Sequence, residues 1–165
     1  MAGYPEGHPE APDIETDIRY LKAKIDSGAT FIITQMFYDV DVFLDWVNKC
    51  RNAGIHVPII PGIMPITSWN ALLRRTRLMH TRIPSKILTA LEPIKDDDAA
   101  VREVGTYLMV ELCRKILEHG ILQLHFYTMN LEKATFMILE KLEITTAMNL
   151  KNPLPWRQVQ KIDIT

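Results

Sequence analysis

Short runs of β-branched and apolar residues alternate along the chain with segments whose apolar residues recur at helical spacing, and this alternation strongly constrains the fold. Runs at 31–36, 57–61 and 121–128 predict three buried strands. Helices are predicted over 12–28, 41–54, 67–80, 84–92, 96–120 and 131–142. Strands that alternate with helices in this way form right-handed βαβ units, which build a parallel sheet covered by helices.

The ends of these helices carry capping signals. Asp41 and Asn130 are placed to accept hydrogen bonds from the first turns of the helices that follow them. Gly28, Gly54 and Gly120 lie where helices end, because glycine adopts the left-handed backbone of a C-terminal cap at no steric cost. The helix boundaries are therefore predicted independently of the apolar periodicity.

The predicted strands are too few to close a barrel. A β/α barrel of eight units typically needs about 250 residues, whereas this chain has 165. The α/β pattern therefore predicts part of a β/α (TIM) barrel, and a small open α/β sheet is the alternative. Residues 1–145 are assigned to the partial barrel and 146–165, with Pro153-Leu154-Pro155-Trp156, to a linker or tail.

Charge and composition exclude several classes of partner. The formal net charge is −1 and the basic residues are scattered, which disfavours nucleic acid and membrane surfaces and favours a small molecule or a protein. With neither a leader nor a membrane-length apolar run, a cytoplasmic location is expected. Cys50 and Cys113 lie far apart in predicted helices and have no partners at metal spacing, so we expect reduced core thiols and no metal site.

Candidate site residues follow from the rule that sites in parallel α/β folds lie at the carboxyl ends of the strands. Gln35 has a donor and an acceptor for a heterocycle, or it bonds neighbouring backbone. Tyr127 could stack on a ring, or bury its face and leave the hydroxyl in water. His8 and Lys24 could bind phosphate, or remain solvated. No nucleotide-binding, nucleophile-elbow or metal motif occurs, so no catalytic residue is identified.

Four stretches, taken together, resemble methylenetetrahydrofolate reductase in their order and spacing. They are residues 3–11 (GYPEGHPEA), 29–37 (ATFIITQMF), 59–65 (IIPGIMP) and 125–130 (HFYTMN). The resemblance extends over about 2–142 and is to the C-terminal half of the catalytic barrel of eukaryotic, fungal-like members. It implies an FAD-dependent oxidoreductase that passes hydride from NAD(P)H to 5,10-methylenetetrahydrofolate, giving 5-methyltetrahydrofolate for one-carbon metabolism and methionine supply.

The resemblance also implies roles for individual residues. Gln35 would hydrogen-bond the folate pterin and Tyr127 would lie beside the substrate. Arg75 stands near a position where bacterial members have an aromatic residue that meets folate and nicotinamide, so we hypothesise that it contacts NAD(P)H. Leu131 replaces an arginine, which weakens the case for a contact to the substrate carboxylate there. The implied FAD contacts are Tyr4, His8, Asp17 and Lys24, the last at the diphosphate.

The resemblance leaves part of the family's barrel without a counterpart. Its first four strands, which bring catalytic carboxylates, have no match in these 165 residues. We therefore expect roughly the last three to four β/α units of a reductase, inactive unless an N-terminal half is supplied. A C-terminal regulatory domain and a homo-oligomer are compatible with the resemblance. The alternative is a non-catalytic half-barrel module that acts by protein–protein interaction.

Overall fold

The chain folds into a parallel sheet whose strands lie side by side in the order in which they occur along the sequence. The computed structural model describes residues 1–144, so the predicted linker at 146–165 lies outside the described residues. Within that part, the sheet has four strands. They are β1 (Ala2–Gly3), β2 (Ile32–Met36), β3 (Ile59–Ile63) and β4 (His125–Phe126).

Helices connect successive strands, one more helix follows the last described strand, and the helices cover one side of the sheet. They are α1 (Ile14–Asp26), α2 (Val40–Asn52), α3 (Trp69–Leu78), α4 (Ser85–Leu91), a 3₁₀ turn (Glu92–Ile94), α5 (Asp98–Glu118) and α6 (Glu132–Lys141). Parallel strands with connecting helices form the predicted partial β/α barrel. Among residues 1–144, none of the helices is both long enough and apolar enough to cross a bilayer.

The strands differ from the predicted ones at both edges of the sheet. β1 was not predicted, because Ala2–Gly3 is too short to show strand periodicity, yet it pairs in parallel with Ile33 and Thr34. β4 covers only His125–Phe126 of the predicted run 121–128. A strand of two residues is fixed by its partners and not by its own propensity, which explains both differences.

Two of the predicted caps are wrong. Asp39, not Asp41, accepts hydrogen bonds from the first turn of α2, and Asp41 instead pairs with Lys115 at 2.6 Å. Asn130 has a left-handed backbone with φ 61° and lies one residue too early, so α6 begins after Leu131 without a side-chain cap. The helices themselves were predicted correctly.

The core lies between the sheet and the helices. Trp46 and Phe43 on α2 are fully buried, and the Phe43 ring stacks on Phe37 at 4.5 Å between centroids. On the opposite face of the sheet, Ile33 and Ile60 are neighbours in register but only half-buried. The helix-covered face is thus a complete core, whereas the face that would line a barrel is partly open.

Candidate active site

The turn after β1 brings two aromatic rings together. Tyr4 O accepts a hydrogen bond from Gly7 N at 2.9 Å, and Pro5 occupies the position that β-turns favour for proline. The rings of Tyr4 and His8 meet edge to face, with centroids 4.6 Å apart. His8 Nδ1 accepts from Glu10 N at 3.1 Å, so the neutral imidazole carries its proton on Nε2.

Helix α1 faces this turn and completes a cleft of about 400 Å³. Asp17, Tyr20 and Lys24 are spaced three and four residues apart, which places them on one side of the helix. The cleft is lined by β1, the turn and this face of α1, and it contains all four residues that the resemblance assigned to FAD: Tyr4, His8, Asp17 and Lys24. Tyr20 was not predicted, although its helical spacing from Asp17 would have indicated it.

Asp17 is a partly buried carboxylate close to His8 and Lys24. Burial raises the pKa of Asp17 above its ordinary value, while a hydrogen bond from the His8 backbone and electrostatic interactions with His8 and Lys24 lower it in part. Water therefore solvates the carboxylate poorly. Because Asp17 lines the cleft, a hydrogen-bond donor of a ligand in the cleft can reach this carboxylate. Such perturbed groups are concentrated at functional sites.

A β-bulge lies at the end of β2, where this strand pairs with β3. The step from Ile33 to Met36 on β2 is opposite the shorter step from Ile60 to Gly62 on β3. Thr34, at 0% exposure, lies in this irregularity, and its hydroxyl accepts from Gly62 N at 2.9 Å. A bulge leaves a residue outside the regular hydrogen-bond ladder. Here the side chain of that residue, Thr34, accepts the hydrogen bond from a backbone N–H of the neighbouring strand.

Gly62 is required where Tyr127 crosses β3. A Cβ at position 62 would overlap the carbonyl oxygen of Thr34 and lie 2.7 Å from the Tyr127 ring. The Tyr127 hydroxyl donates to that same Thr34 carbonyl at 2.9 Å. Burial chiefly raises the pKa of Tyr127, and the neighbouring Tyr4 raises it further. The sequence left open that the Tyr127 hydroxyl is in water. In the structure this hydroxyl instead donates to a protein carbonyl.

Gln35 lies next to this network and keeps part of its hydrogen-bonding capacity. Its Oε1 accepts from Met36 N at 3.0 Å, which matches the alternative of bonding to neighbouring backbone. Among the described residues, its Nε2 donates only to the sulfur of Met79, at 3.3 Å. A thioether is a weak acceptor, so this amide can exchange it for a better one.

Arg75 is not among the residues that line the cleft beside α1. It extends from α3, where Nη1 donates to the Thr67 hydroxyl at 3.4 Å. Its positive charge partly offsets the effect of burial, which raises the pKa of Tyr38. Arg75 therefore belongs to the region beyond β3 and is separate from the group around Tyr4 and His8.

The two cysteines are buried and free, as predicted. Burial raises the pKa of both Cys50 and Cys113 to about 12, which keeps these thiols protonated and poorly reactive at neutral pH. Across residues 1–144 there is no group of three or more histidine, cysteine or acidic side chains arranged to hold a metal ion.

Comparison with known proteins gives consistent similarities. The methylenetetrahydrofolate reductase family model matches residues 1–143. Methylenetetrahydrofolate reductase 2 of Saccharomyces cerevisiae is 54% identical over 96% of this chain and 28% of its own length. Methylenetetrahydrofolate reductase (NADH) 1 of Zea mays is 47% identical over 98% of this chain and 29% of its own. The chain thus spans less than a third of these curated relatives.

A solved structure shares the fold. It is that of an uncharacterized protein from Clostridium thermocellum that binds two copies of 5-methyl-5,6,7,8-tetrahydrofolic acid. The TM-score is 0.57 at 21% identity, and the match covers 87% of this chain and 53% of the other.

Proposed function

Because this chain belongs to the methylenetetrahydrofolate reductase family, we propose that it supplies part of the catalytic barrel of a cytoplasmic, flavin-dependent reductase. That enzyme converts 5,10-methylenetetrahydrofolate to 5-methyltetrahydrofolate with NAD(P)H, and so supplies methionine synthesis. The observation that carries the proposal is the convergence of Tyr4, His8, Asp17 and Lys24 on one cleft at the end of β1.

The donor set of this cleft fits FAD. The ammonium group of Lys24 can neutralise a diphosphate, and the Asp17 carboxylate can accept from ribose hydroxyls. Tyr4 and Tyr20 provide aromatic faces for a ring system. When bound, FAD supplies the hydride-transfer chemistry, and the protein contributes binding and orientation.

The folate is proposed to bind at the ends of β2 and β4. Gln35 has an amide nitrogen whose present acceptor is weak, so it can donate to the pterin. Tyr127 is fixed over Gly62 by its bond to Thr34, and its ring forms a wall beside that position. The folate ligand of the Clostridium protein supports this substrate class, and the name of the maize relative supports a reduced nicotinamide nucleotide as donor.

The described sheet is incomplete as a catalytic barrel. Within residues 1–144, β1 pairs only with β2 and β4 only with β3, so both edges are open. Half-buried Ile33 and Ile60 leave the inner face without cover. Catalysis needs groups held around one flavin from several strands. We therefore propose that this chain alone is inactive and that an N-terminal half barrel covers these edges.

The test is a chimera, in which residues 1–143 replace the matching segment of the Saccharomyces cerevisiae relative. The purified chimera should carry flavin, seen in its visible absorbance, and should reduce methylenetetrahydrofolate with NADH or NADPH. The unaltered relative is the control. A folded chimera without flavin would refute the proposal.

The isolated chain tests the non-catalytic alternative. Its two open edges favour self-association or the capture of a complementary half barrel. It should show no reductase activity, and it should aggregate or form oligomers in solution. A monodisperse chain that binds no flavin and no half barrel, but does bind another protein, would instead favour a protein-interaction module.

A further inference from the structure

Glu6 lies at the tip of the turn that carries Tyr4 and His8, but it does not line their cleft. Its side chain instead faces a groove on the other side of the turn, shared with Trp46 and Arg82. Glu6 therefore belongs to the same backbone segment as the proposed flavin contacts without facing the flavin itself.

The contacts of Glu6 are made to the backbone of a distant loop. Its Oε2 accepts from Arg82 N at 2.9 Å, across 76 residues of sequence. The Arg82 side chain lies farther away, with Nε at 3.5 Å, and it is 76% exposed whereas the Glu6 side chain is 11% exposed. Because an exposed ion pair contributes little, the bond to the backbone N–H is the stronger link.

The loop that receives Glu6 is itself held against the sheet. The α3–α4 loop, residues 79–84, is tied to the end of β2 through the hydroxyl of Thr81, which donates to Met36 O at 3.3 Å. Met79 of the same loop accepts from Gln35 Nε2. One loop thus contacts both the turn beside the proposed flavin cleft and the proposed pterin-binding amide.

Glu6 is an unfavourable choice for stability alone. Burial raises the pKa of Glu6, and its Oε1 has no hydrogen-bond partner among the described residues. A buried oxygen without a partner costs free energy, so stability alone does not account for a carboxylate at this position.

We propose that Glu6 is a positioning residue, which fixes the Tyr4–His8 turn to the α3–α4 loop and thereby holds the flavin-contacting side chains in place. This inference rests on the proposed function, since the flavin is the ligand whose contacts are positioned. Glu6 acts through the turn and does not touch the cofactor.

The test uses the chimera and FAD itself as the probe. Glu6→Ala should weaken FAD binding about tenfold, as expected when a backbone N–H loses its acceptor, and should speed amide exchange at Arg82. Glu6→Gln keeps an oxygen that can accept from Arg82 N and should bind FAD nearly as well as the parent. Glu6→Asp, with a shorter reach, should change both quantities in the same direction as Glu6→Ala, by a smaller factor.

Two controls separate the proposed link from general loss of charge. Arg82→Ala removes the exposed guanidinium but keeps the backbone donor, so FAD affinity should be unchanged. Glu111→Ala removes an exposed carboxylate that pairs with Lys86 and not with the turn or the α3–α4 loop, and it should also have no effect.

Several outcomes would overturn the inference. One is a Glu6→Ala chimera that binds FAD as tightly as the parent, whether or not Arg82 exchanges faster. Another is equal loss of affinity in Glu6→Gln and Glu6→Ala. A parent chimera that binds no flavin refutes the proposed function and this inference together. Amide exchange still tests the contact when no flavin binds. If Arg82 N–H exchanges as slowly in Glu6→Ala as in the parent chimera, the hydrogen bond from Arg82 N to Glu6 is not formed.

Discussion

The hydroxyl of Tyr127 donates a hydrogen bond to the carbonyl oxygen of Thr34, which lies 93 residues earlier in the chain. The bond spans β3, because Gly62 has no side chain to keep the ring away from Thr34. The carbonyl of Thr34, a residue outside the regular ladder between β2 and β3, thereby gains a hydrogen-bond partner from Tyr127, which follows β4. The proposed substrate wall and the end of β2 are one connected unit.

Tyr127→Phe should destabilise the end of β2. Loss of the hydroxyl leaves the Thr34 carbonyl short of a partner, which costs about 1–2 kcal/mol. Amide exchange in β2 of the chimera measures this loss. The free energy of folate binding should change by less than the free energy of unfolding. Tyr107→Phe is the control, since Tyr107 is 52% exposed on α5 and should show no change. Equal exchange rates in the two variants would contradict the prediction.

Lys24→Ala should weaken FAD binding by about tenfold, because an ammonium–phosphate contact is charge-assisted. Flavin fluorescence during titration of the apo chimera gives the affinity. Lys22→Ala is matched in residue type and helix, but Lys22 pairs with Asp26 and lines a different groove. A drop in affinity for Lys22→Ala as large as that for Lys24→Ala would mean that the cleft beside α1 is not the flavin site.

Asp17→Asn should stabilise the protein near neutral pH while weakening FAD binding. The pKa of Asp17 is raised in the folded state, chiefly by burial. The folded state therefore holds a proton that the unfolded state has already released. Between the ordinary pKa and the raised one, the contribution of this group to the free energy of unfolding falls as pH rises. Asparagine removes that decline.

The thermal midpoint of the apo chimera, followed from acidic to neutral pH, checks this prediction. Asp13→Asn is a control of opposite sign, because hydrogen bonds from Thr16 lower the pKa of Asp13. As pH rises through the window below the ordinary pKa, the Asp13 carboxylate contributes more to the free energy of unfolding. Asparagine removes this increase while still capping the helix. The expectation fails if Asp17→Asn lowers the midpoint at neutral pH.

Arg75→Ala should raise the Michaelis constant for NADPH about tenfold, as expected for loss of a hydrogen bond to a charged group, and should leave flavin content unchanged. Arg75 lies outside the proposed flavin cleft, so the two effects should separate. Steady-state kinetics of the chimera with NADPH varied provides the measurement. Arg77→Ala, on the same helix, is the control. An unchanged Michaelis constant in Arg75→Ala would reject the proposed nucleotide contact.

The sequence predicted the helices and the central strands because their signals are local. The run 31–36 is rich in β-branched residues and became β2, and the apolar periodicity of 12–28 became α1 with its ends moved inward. β1 has no local signal, since Ala2–Gly3 is ordered by pairing with β2. The α2 cap was misplaced because two aspartates stand two residues apart and only the backbone geometry selects Asp39.

The candidate site was predictable in part. Resemblance supplied Tyr4, His8, Asp17 and Lys24, and the structure places all four in one cleft. The bonds of Thr34 depend on a one-residue irregularity in register and on Tyr127 far along the chain, so no sequence window contains them. The sequence also gives no signal for the hydrogen bond from Arg82 N to Glu6. Every residue except proline would offer a backbone N–H at position 82.

The spatial order of the strands repeats their order in the chain. During synthesis each new strand therefore meets an edge that the preceding strand has already formed, and none has to insert between two earlier ones. The sheet can grow on the ribosome by simple addition, from β1 towards β4. The bond from Tyr127 to Thr34 reaches back past β3, so it should form only after β4 has joined the sheet, and it then fastens β2 to the segment after β4.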